Sequence, residues 1–395
     1  MNSIEKHAAI TLAAIMCLRM LGLFMVLPLF SLYAHQLQYA TPLLIGVAMG
    51  IYGLTQAMLQ IPLGAWSDQV GRKKIIALGL IIFAIGSAVA ASATTIWGMI
   101  LGRSLQGGGA VGSTIIALMA DLTREKERTK AMAIIGMTIG MSFSLAMLMG
   151  PLLNPWLHVN GIFWLAALLS LFAIAILVIY VPTPEKTIWH ADAEPEWHSF
   201  FAVLTTQELA RLNIGIFILH AIFTASFVII PISLQNKVGL AGNQQWILYL
   251  PILLLAFICS IPCIIIAEKK HQLKLFFLAA IMTLSIAELV FWVFANSFVS
   301  FAIGLLLFFT GFSILEAFLP SLVSKTAPLK RKGTALGIYS CAQFLGIFVG
   351  GSVGGWLYGL FGPTDVYLFC VALAIAWIAI AFRMKNPQHQ TNPVL

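Results

Sequence analysis

Apolar runs of about twenty residues, broken by short polar stretches, recur along the whole chain. A helix needs ~20 mostly apolar residues to cross the hydrocarbon core of a bilayer. Twelve stretches reach that length: 10–33, 43–66, 75–95, 97–121, 131–153, 161–181, 211–234, 244–267, 273–295, 298–323, 333–358 and 364–384. None shows the strict apolar–polar alternation of a barrel strand, so the pattern predicts helices, which satisfy every backbone hydrogen bond within the segment. The joints near residues 96 and 296 are the shortest. The run 10–33 is too long for the core of a cleavable signal peptide, and no small-residue cleavage pattern follows it. It is read as the first span, and no lipidation motif is seen.

Composition strengthens this picture. Sixty per cent of the residues are hydrophobic, 9% are charged and the mean hydropathy is +0.97, whereas a soluble domain carries roughly 25% charged residues. The expected fold class is an all-α membrane protein of twelve transmembrane helices. Cys17, Cys259, Cys263, Cys341 and Cys370 all fall in apolar runs and read as small buried hydrophobes rather than disulfides or metal ligands. The net charge of +8 sits in short loops, a signature of membrane topology and not of nucleic-acid binding. With both termini placed in the cytoplasm, 19 of the 22 Lys and Arg fall on the cytoplasmic side. Only Lys237 falls outside, and Arg19 and Arg103 lie within spans. The lack of any eukaryotic targeting feature points to a bacterial inner membrane.

The longest polar segment, 182–210, contains Pro182, Pro184 and Pro195 and an amphipathic stretch near 196–209. It is expected to be a cytoplasmic linker between an N-terminal six-helix bundle (1–181) and a C-terminal one (211–395). The two halves repeat with an offset of 200: Pro62 matches Pro262, Asp68 matches Glu268, Lys74 matches Lys274, Lys130 matches Lys330, and Gly150 matches Gly350. Six spans per half make the repeat parallel, about an axis along the membrane normal. Two such bundles rocking about a central site would give alternating access.

Several motifs then carry a resemblance. After the second span comes Gly64-Ala-Trp-Ser-Asp68-Gln-Val-Gly71-Arg72-Lys73-Lys74, where Gly64 permits close helix approach, Gly71 a tight turn, and Asp68 a cap on the next helix or a pair with Arg72. This resembles the loop signature of the major facilitator superfamily, with Gln69 where a basic residue is usual. Arg103-x-x-Gln106-Gly107 in span four resembles the signature of proton-driven members. An arginine inside a span is functional by default, although near the span end it could snorkel. Gly136, Gly140, Gly150 and Pro151 in span five resemble the antiporter signature, or serve helix packing alone. The following Asn154-Pro155 departs from that signature. Leu21-Gly22 with Pro28 in span one resembles the 12-span drug:proton antiporter branch. Leu315-Glu316-Ala-Phe-Leu-Pro320, Lys332-Gly-Thr-Ala-Leu-Gly337 and Asp121-Leu-Thr-Arg124 look like YajR-type transporters, from about residue 10 to 385. Members of that type carry a soluble domain after span twelve, and this chain is expected to stop short of one.

The resemblance implies that Asp68, Arg72 and Asp121 form a conformational charge cluster, and that spans one, four, seven and ten line the cavity. Their polar residues are Arg19, Arg103, Gln106, His220 and Glu316. Arg19 lies ~14 Å into its span, with Glu316 as a possible partner. Glu316 is the first candidate for proton coupling, since a carboxyl in low dielectric gains stability by taking a proton; a structural ion pair is the plain alternative. His220 could shuttle protons or simply be a hydrogen-bonded packing residue, and Glu288, on a peripheral span, is a weaker candidate. Gly107-x-Gly109-x-x-Gly112 lies inside a span with no strand before it, so it is no dinucleotide site. No ATPase loop, metal-ligand spacing or catalytic constellation is visible, so no enzyme is expected and a proton gradient would be the energy source. The expected function is proton-coupled export of small amphipathic organic compounds by a monomer. A dedicated transporter of one metabolite or siderophore, and a non-transporting sensor of the same fold, remain alternatives.

Overall fold

In the computed structural model the chain is described over residues 1–183, 205–270, 272–294, 297–328 and 332–384. The first span is α1 (Ser3–Phe24) followed directly by α2 (Leu27–Ala34). The break falls just before Pro28, whose missing N–H interrupts the helical ladder. Next come α3 (Pro42–Val70) and α4 (Arg72–Ala91), joined by Gly71 at φ 109°, a left-handed conformation that only glycine adopts without strain. The fourth span is split into α5 (Ile96–Gly108) and α6 (Gly112–Asp121) at the end of a three-glycine run.

Spans five and six form α7 (Glu125–Ile179), 55 residues long. At ~1.5 Å per residue it is far too long for one crossing. It doubles back at His158, where φ is 51° and ψ 175°. Both its ends lie beside the same basic loops: Lys130 pairs with Glu127 at 3.1 Å, and Lys73 donates to the Val181 carbonyl at 2.8 Å. The C-terminal half contains α8 (Gln207–Val238), α9 (Trp246–Lys269), α10 (Leu273–Phe294), α11 (Phe298–Thr326), α12 (Lys332–Phe361) and α13 (Pro363–Phe382). By length and composition, ten stretches among the described residues can cross a membrane. One of them, Lys130–Ile179, doubles back, and α5 with α6 makes a further crossing. The crossings therefore number twelve. Most of the 182–210 linker, with its amphipathic stretch, lies outside the described residues, and α8 takes over at Gln207.

The repeat is visible in the packing. Span five approaches span one so closely at Gly150 that a Cβ there would collide with the Met25 carbonyl. Span eleven meets span seven in the same way, with Gly350 against the Ala221 carbonyl. The face carrying the basic loops is called the basic face below, and the opposite one the far face. The halves meet along α3 and α12 in the far half of the molecule. There Gly46 lies on Gly351 and Gly355, Gly50 on Phe348, and Gly53 on Phe344 and Ile347. Toward the basic face the halves separate. Gly136 and Gly140 on α7 and Gly333 and Gly337 on α12 have no atom that an added Cβ would touch. The molecule is thus closed at the far face and open at the basic face.

Candidate transport site and charge clusters

Glu316 on α11 stands at the centre of the opening between the halves. Its Oε1 accepts a bond from Gln343 Nε2 on α12 at 3.3 Å, and its Oε2 lies 3.8 Å from His220 Nε2 on α8. The His220 ring is read from its partners: Nδ1 donates to the Ile216 carbonyl at 3.3 Å, which leaves Nε2 to accept from Gln343 at 2.9 Å. The Glu316 side chain is 36% exposed and that of His220 only 8%, while the Glu316 Oε2 atom itself is buried without a hydrogen-bond partner among the described residues. No Lys or Arg pairs with Glu316 among the described residues. The arrangement can take up a proton at Glu316 and pass the change to two helices through Gln343 and His220.

Above this cluster, toward the far face, stands a group of aromatic rings. Phe312, one turn along α11 from Glu316, stacks on Phe143 of α7 with centroids 5.8 Å apart, and Phe223 of α8 lies 4.8 Å from Phe312. Phe308 and Phe227 extend the group. A solute entering from the basic face meets one carboxylate, two polar side chains and an apolar ceiling.

Arg19, Arg103 and Gln106 are not on this wall. All three are buried within the N-terminal half, at 0%, 1% and 0% exposure. Arg19 donates to Gln56 Oε1 at 3.0 Å, so its expected pairing with Glu316 is corrected: α3 lies nearer than α11 and supplies the acceptor. Arg103 donates to Gln106 Oε1 at 2.7 Å, and its guanidinium lies over the Tyr52 ring at 4.4 Å. Gln106 in turn donates to Ser87 at 2.8 Å. Arg103 does not use the snorkelling route open to it, because Gln106 and the Tyr52 ring hold its guanidinium inside the bundle.

At the basic face Arg72 holds two carboxylates: Asp68, one turn back, and Asp121 at the end of α6, with Nε to Oδ2 at 3.2 Å. Arg72 also donates to Ser67 Oγ at 2.7 Å. Asp68 does not cap α4, whose N-terminus is Gly71 without any side-chain cap. It lies within α3, which runs four residues beyond the predicted span end, and its carboxylate turns to Arg72. Gly64 needs no special closeness, since a Cβ there would meet only Ser113 Oγ at 3.6 Å. Glu268, which repeats Asp68, pairs instead with Lys325 at 3.6 Å and is more exposed, since Gln272 stands where the repeat would place the counterpart of Arg72. Elsewhere on this face Glu5 takes two bonds from Arg124, at 2.7 and 3.0 Å, and its carboxylate raises the Arg124 guanidinium above its ordinary range.

The expected packing glycines divide. Gly150, with Pro151 following it in the same helix, sits in a close helix contact, whereas Gly136 and Gly140 face open space because their half of α7 borders the separation between the bundles. Glu288 differs from its expected place on a peripheral span. It is fully buried on α10, its Oε1 accepts from Ser226 Oγ at 2.7 Å, and its Oε2 has no partner. Gln56 carried no signal, because a glutamine in a span is not charged and its partner comes from another helix. Gln343 stood out only within the run Gln343-Phe-Leu-Gly346 that shares the family resemblance, not as a partner of Glu316. A separate cavity of about 790 Å³ lies at the far face, at the opposite end from Glu316, lined by side chains including Tyr33, Gln36, Asn154, His158 and Gln235.

Comparison with known proteins places this architecture. A sequence profile of the Major Facilitator Superfamily matches residues 12–350 and 212–394. The inner membrane transport protein YajR of Escherichia coli K12 is 43% identical over 388 residues, which cover 98% of this chain and 85% of that protein. The multidrug resistance protein MdtH of Edwardsiella ictaluri is 27% identical over 351 residues, 86% of this chain and 84% of its own. Among solved structures, a bacterial homologue of the human lysosomal transporter Spinster superposes with a TM-score of 0.78 at 14% identity, covering 97% of each chain. That likeness concerns the fold. Twelve crossings in two repeated bundles and a family match along nearly the whole chain together identify a multi-pass membrane transporter, not an enzyme, that belongs to the Major Facilitator Superfamily.

Proposed function

We propose that this transporter couples proton entry to the export of small amphipathic organic compounds across a bacterial inner membrane, working as a monomer by alternating access. The carrying observation is the placement of Glu316: a carboxylate with no Lys or Arg partner among the described residues, bonded to Gln343 and near His220, between the two halves and beneath an aromatic ceiling. The proposed orientation puts the basic face and both termini in the cytoplasm, since Lys and Arg favour that side. The structure then corresponds to the inward-open form. Cargo enters from the cytoplasm, contacts Glu316 and the phenylalanine rings, and leaves after the halves rock. A proton arriving from outside neutralises Glu316, releases its hold on cationic or polar groups, and favours the return. The name of the inner membrane transport protein YajR supports the membrane, and that of MdtH supports the cargo class.

The test uses protein in liposomes with an internal pH dye and an imposed proton gradient, against a panel of lipophilic cations and neutral metabolites. A compound that dissipates the gradient with wild-type protein, but not with Glu316→Gln, supports the proposal. Undiminished coupled transport by Glu316→Gln overturns the assignment of the proton site. The Asn154-Pro155 pair and the carboxamides around the far-face cavity favour a second reading, a dedicated polar cargo. That reading predicts that one neutral metabolite, and no lipophilic cation, moves protons.

A further inference from the structure

Among the described residues, Phe143 is the phenylalanine of the N-terminal half that reaches the phenylalanine cluster of the C-terminal half. Its ring centroid lies 5.6 Å from Phe223 and 5.8 Å from Phe312, and on its own side 5.1 Å from Phe24. These are the separations at which aromatic rings attract one another beyond simple burial. Phe223 and Phe312 are themselves joined at 4.8 Å and are 4% and 6% exposed. Phe143 itself is half-buried, so the contact bridges the halves at mid-depth with one side of its ring uncovered.

Position on the helix gives the contact its meaning. Residues 136, 140, 143, 147 and 150 share one stripe of α7 at helical spacing. Met147 and Gly150, on the far side of Phe143, are buried, whereas Gly136 and Gly140, on its basic side, open into the separation. The change from packed to open happens at Phe143. On the partner side, Phe312 and Glu316 lie one turn apart on α11, and Phe223 and His220 three residues apart on α8. The same two helices thus carry both the seal and the polar cluster. His220 lies 5.8 Å from Phe312, ring to ring.

We infer that Phe143, closing on Phe223 and Phe312, is the gate residue that seals the Glu316 site from the far face. The inference rests on the alternating-access reading but not on the identity of the cargo or the coupling ion. A change in the Glu316–Gln343–His220 cluster moves α8 and α11, and with them the two rings on which Phe143 closes. Removing the Phe143 ring leaves an apolar gap that water can enter when the bundles fluctuate.

The experiment uses Gly140→Cys, at a position where a Cβ meets nothing within 4 Å, in a chain whose five native cysteines are replaced by Ala. Membrane-impermeant maleimide is added from the far face of sided liposomes, without gradient or cargo. Adding Phe143→Ala should raise the labelling rate of the introduced thiol about tenfold, the population shift expected for loss of one such aromatic contact. Labelling from the basic face should stay unchanged. Phe143→Trp should keep the far-face rate low. In the same liposomes Phe143→Ala should let a proton gradient decay without cargo, which a purely structural contact would not do. If Phe143→Ala fails to fold, Phe143→Leu is read in its place and should give a smaller rise. Equal far-face labelling with and without the ring overturns the gate. A sealed gate in a protein whose cargo moves no protons would instead overturn the proposed coupling and leave the gate standing, so the two failures are distinguishable.

Discussion

Arg103 keeps its charge inside the protein, solvated by the Gln106 amide, the Met49 carbonyl at 3.5 Å and the face of Tyr52. A planar guanidinium can hydrogen-bond at its edge and stack on a ring at the same time, whereas an ammonium can do only one of these well. Arg103→Lys should therefore insert normally but lower the stability of the purified protein by ~1–2 kcal/mol. Thermal unfolding in detergent checks this; an unchanged midpoint would mean that the stacking contributes nothing. Glu288 poses the opposite case, a buried carboxyl with Ser226 and no cation pair among the described residues. Glu288→Gln preserves shape and the Ser226 bond, so its unfolding midpoint should stay within a few degrees of wild type. Glu288→Ala leaves a cavity and an orphaned hydroxyl and should lower stability by ~2–4 kcal/mol. The legibility of these residues follows sequence distance. Arg103 with Gln106 is an i, i+3 pair on one helix, and the motif showed it. Arg19 with Gln56, Glu316 with Gln343 and Ser226 with Glu288 are 37, 27 and 62 residues apart. Helix periodicity cannot rank such partners, which is why it offers Arg19 the wrong one.

At the scale of helices, the seam between α3 and α12 packs the two halves together in the far half of the molecule. Gly46 and Gly50 present backbone to the backbone of Gly351, Gly355 and Phe348, and Gly53 meets the Phe344 carbonyl beside the Ile347 side chain. Such contact lets two helices approach closely in lipid, where van der Waals packing is the main attraction. A leucine at Gly50 would meet the Phe348 backbone at once, and no rotamer relieves that clash. Gly50→Leu should prevent closure at the far face, with overpacking of ~1–3 kcal/mol shifting the population roughly tenfold or more toward the far-open form. Spin labels at the far ends of α3 and α12 should show the longer distance dominating, and transport should fall with it. A distance distribution like that of the wild type would sink the idea that this seam controls closure. The twelve apolar runs located every span, because the ~20-residue requirement of the bilayer is a property of composition alone. Two features of the helices were not legible. The reversal at His158 joins spans five and six with scarcely any loop, and the break at residues 109–111 divides span four. Both depend on local backbone geometry, about which hydropathy carries no information.

For the whole molecule, the repeat fixes what each half is but not how the halves stand. Their offset of 200 was readable in matched prolines, charges and glycines, and Gly150 with Gly350 shows it reproduced in packing. The open face was not readable, because the alternatives share one sequence and differ by only a few kcal/mol. If charge at the basic face biases that balance, the halves should contribute unequally. In the N-terminal half Arg72, with 15% of its side chain exposed, holds Asp68 and Asp121, at 26% and 17%. Glu268, the repeat of Asp68, forms a single pair with Lys325 at 3.6 Å, with 58% and 43% exposure. Exposed single pairs contribute ~0–1 kcal/mol, since water screens both partners. A partly buried guanidinium bonded to two carboxylates and a hydroxyl is more strongly held. Asp68→Asn should therefore slow transport several-fold and change the spacing of the basic ends, as read by spin labels on α6 and α11. Glu268→Gln should leave both within experimental error. The comparison carries its own control, because each substitution removes one negative charge from the same face and alters the net charge equally. If the two variants behaved alike, general surface charge would set the balance between the facing states; unequal effects assign it to the Arg72 cluster of the N-terminal half.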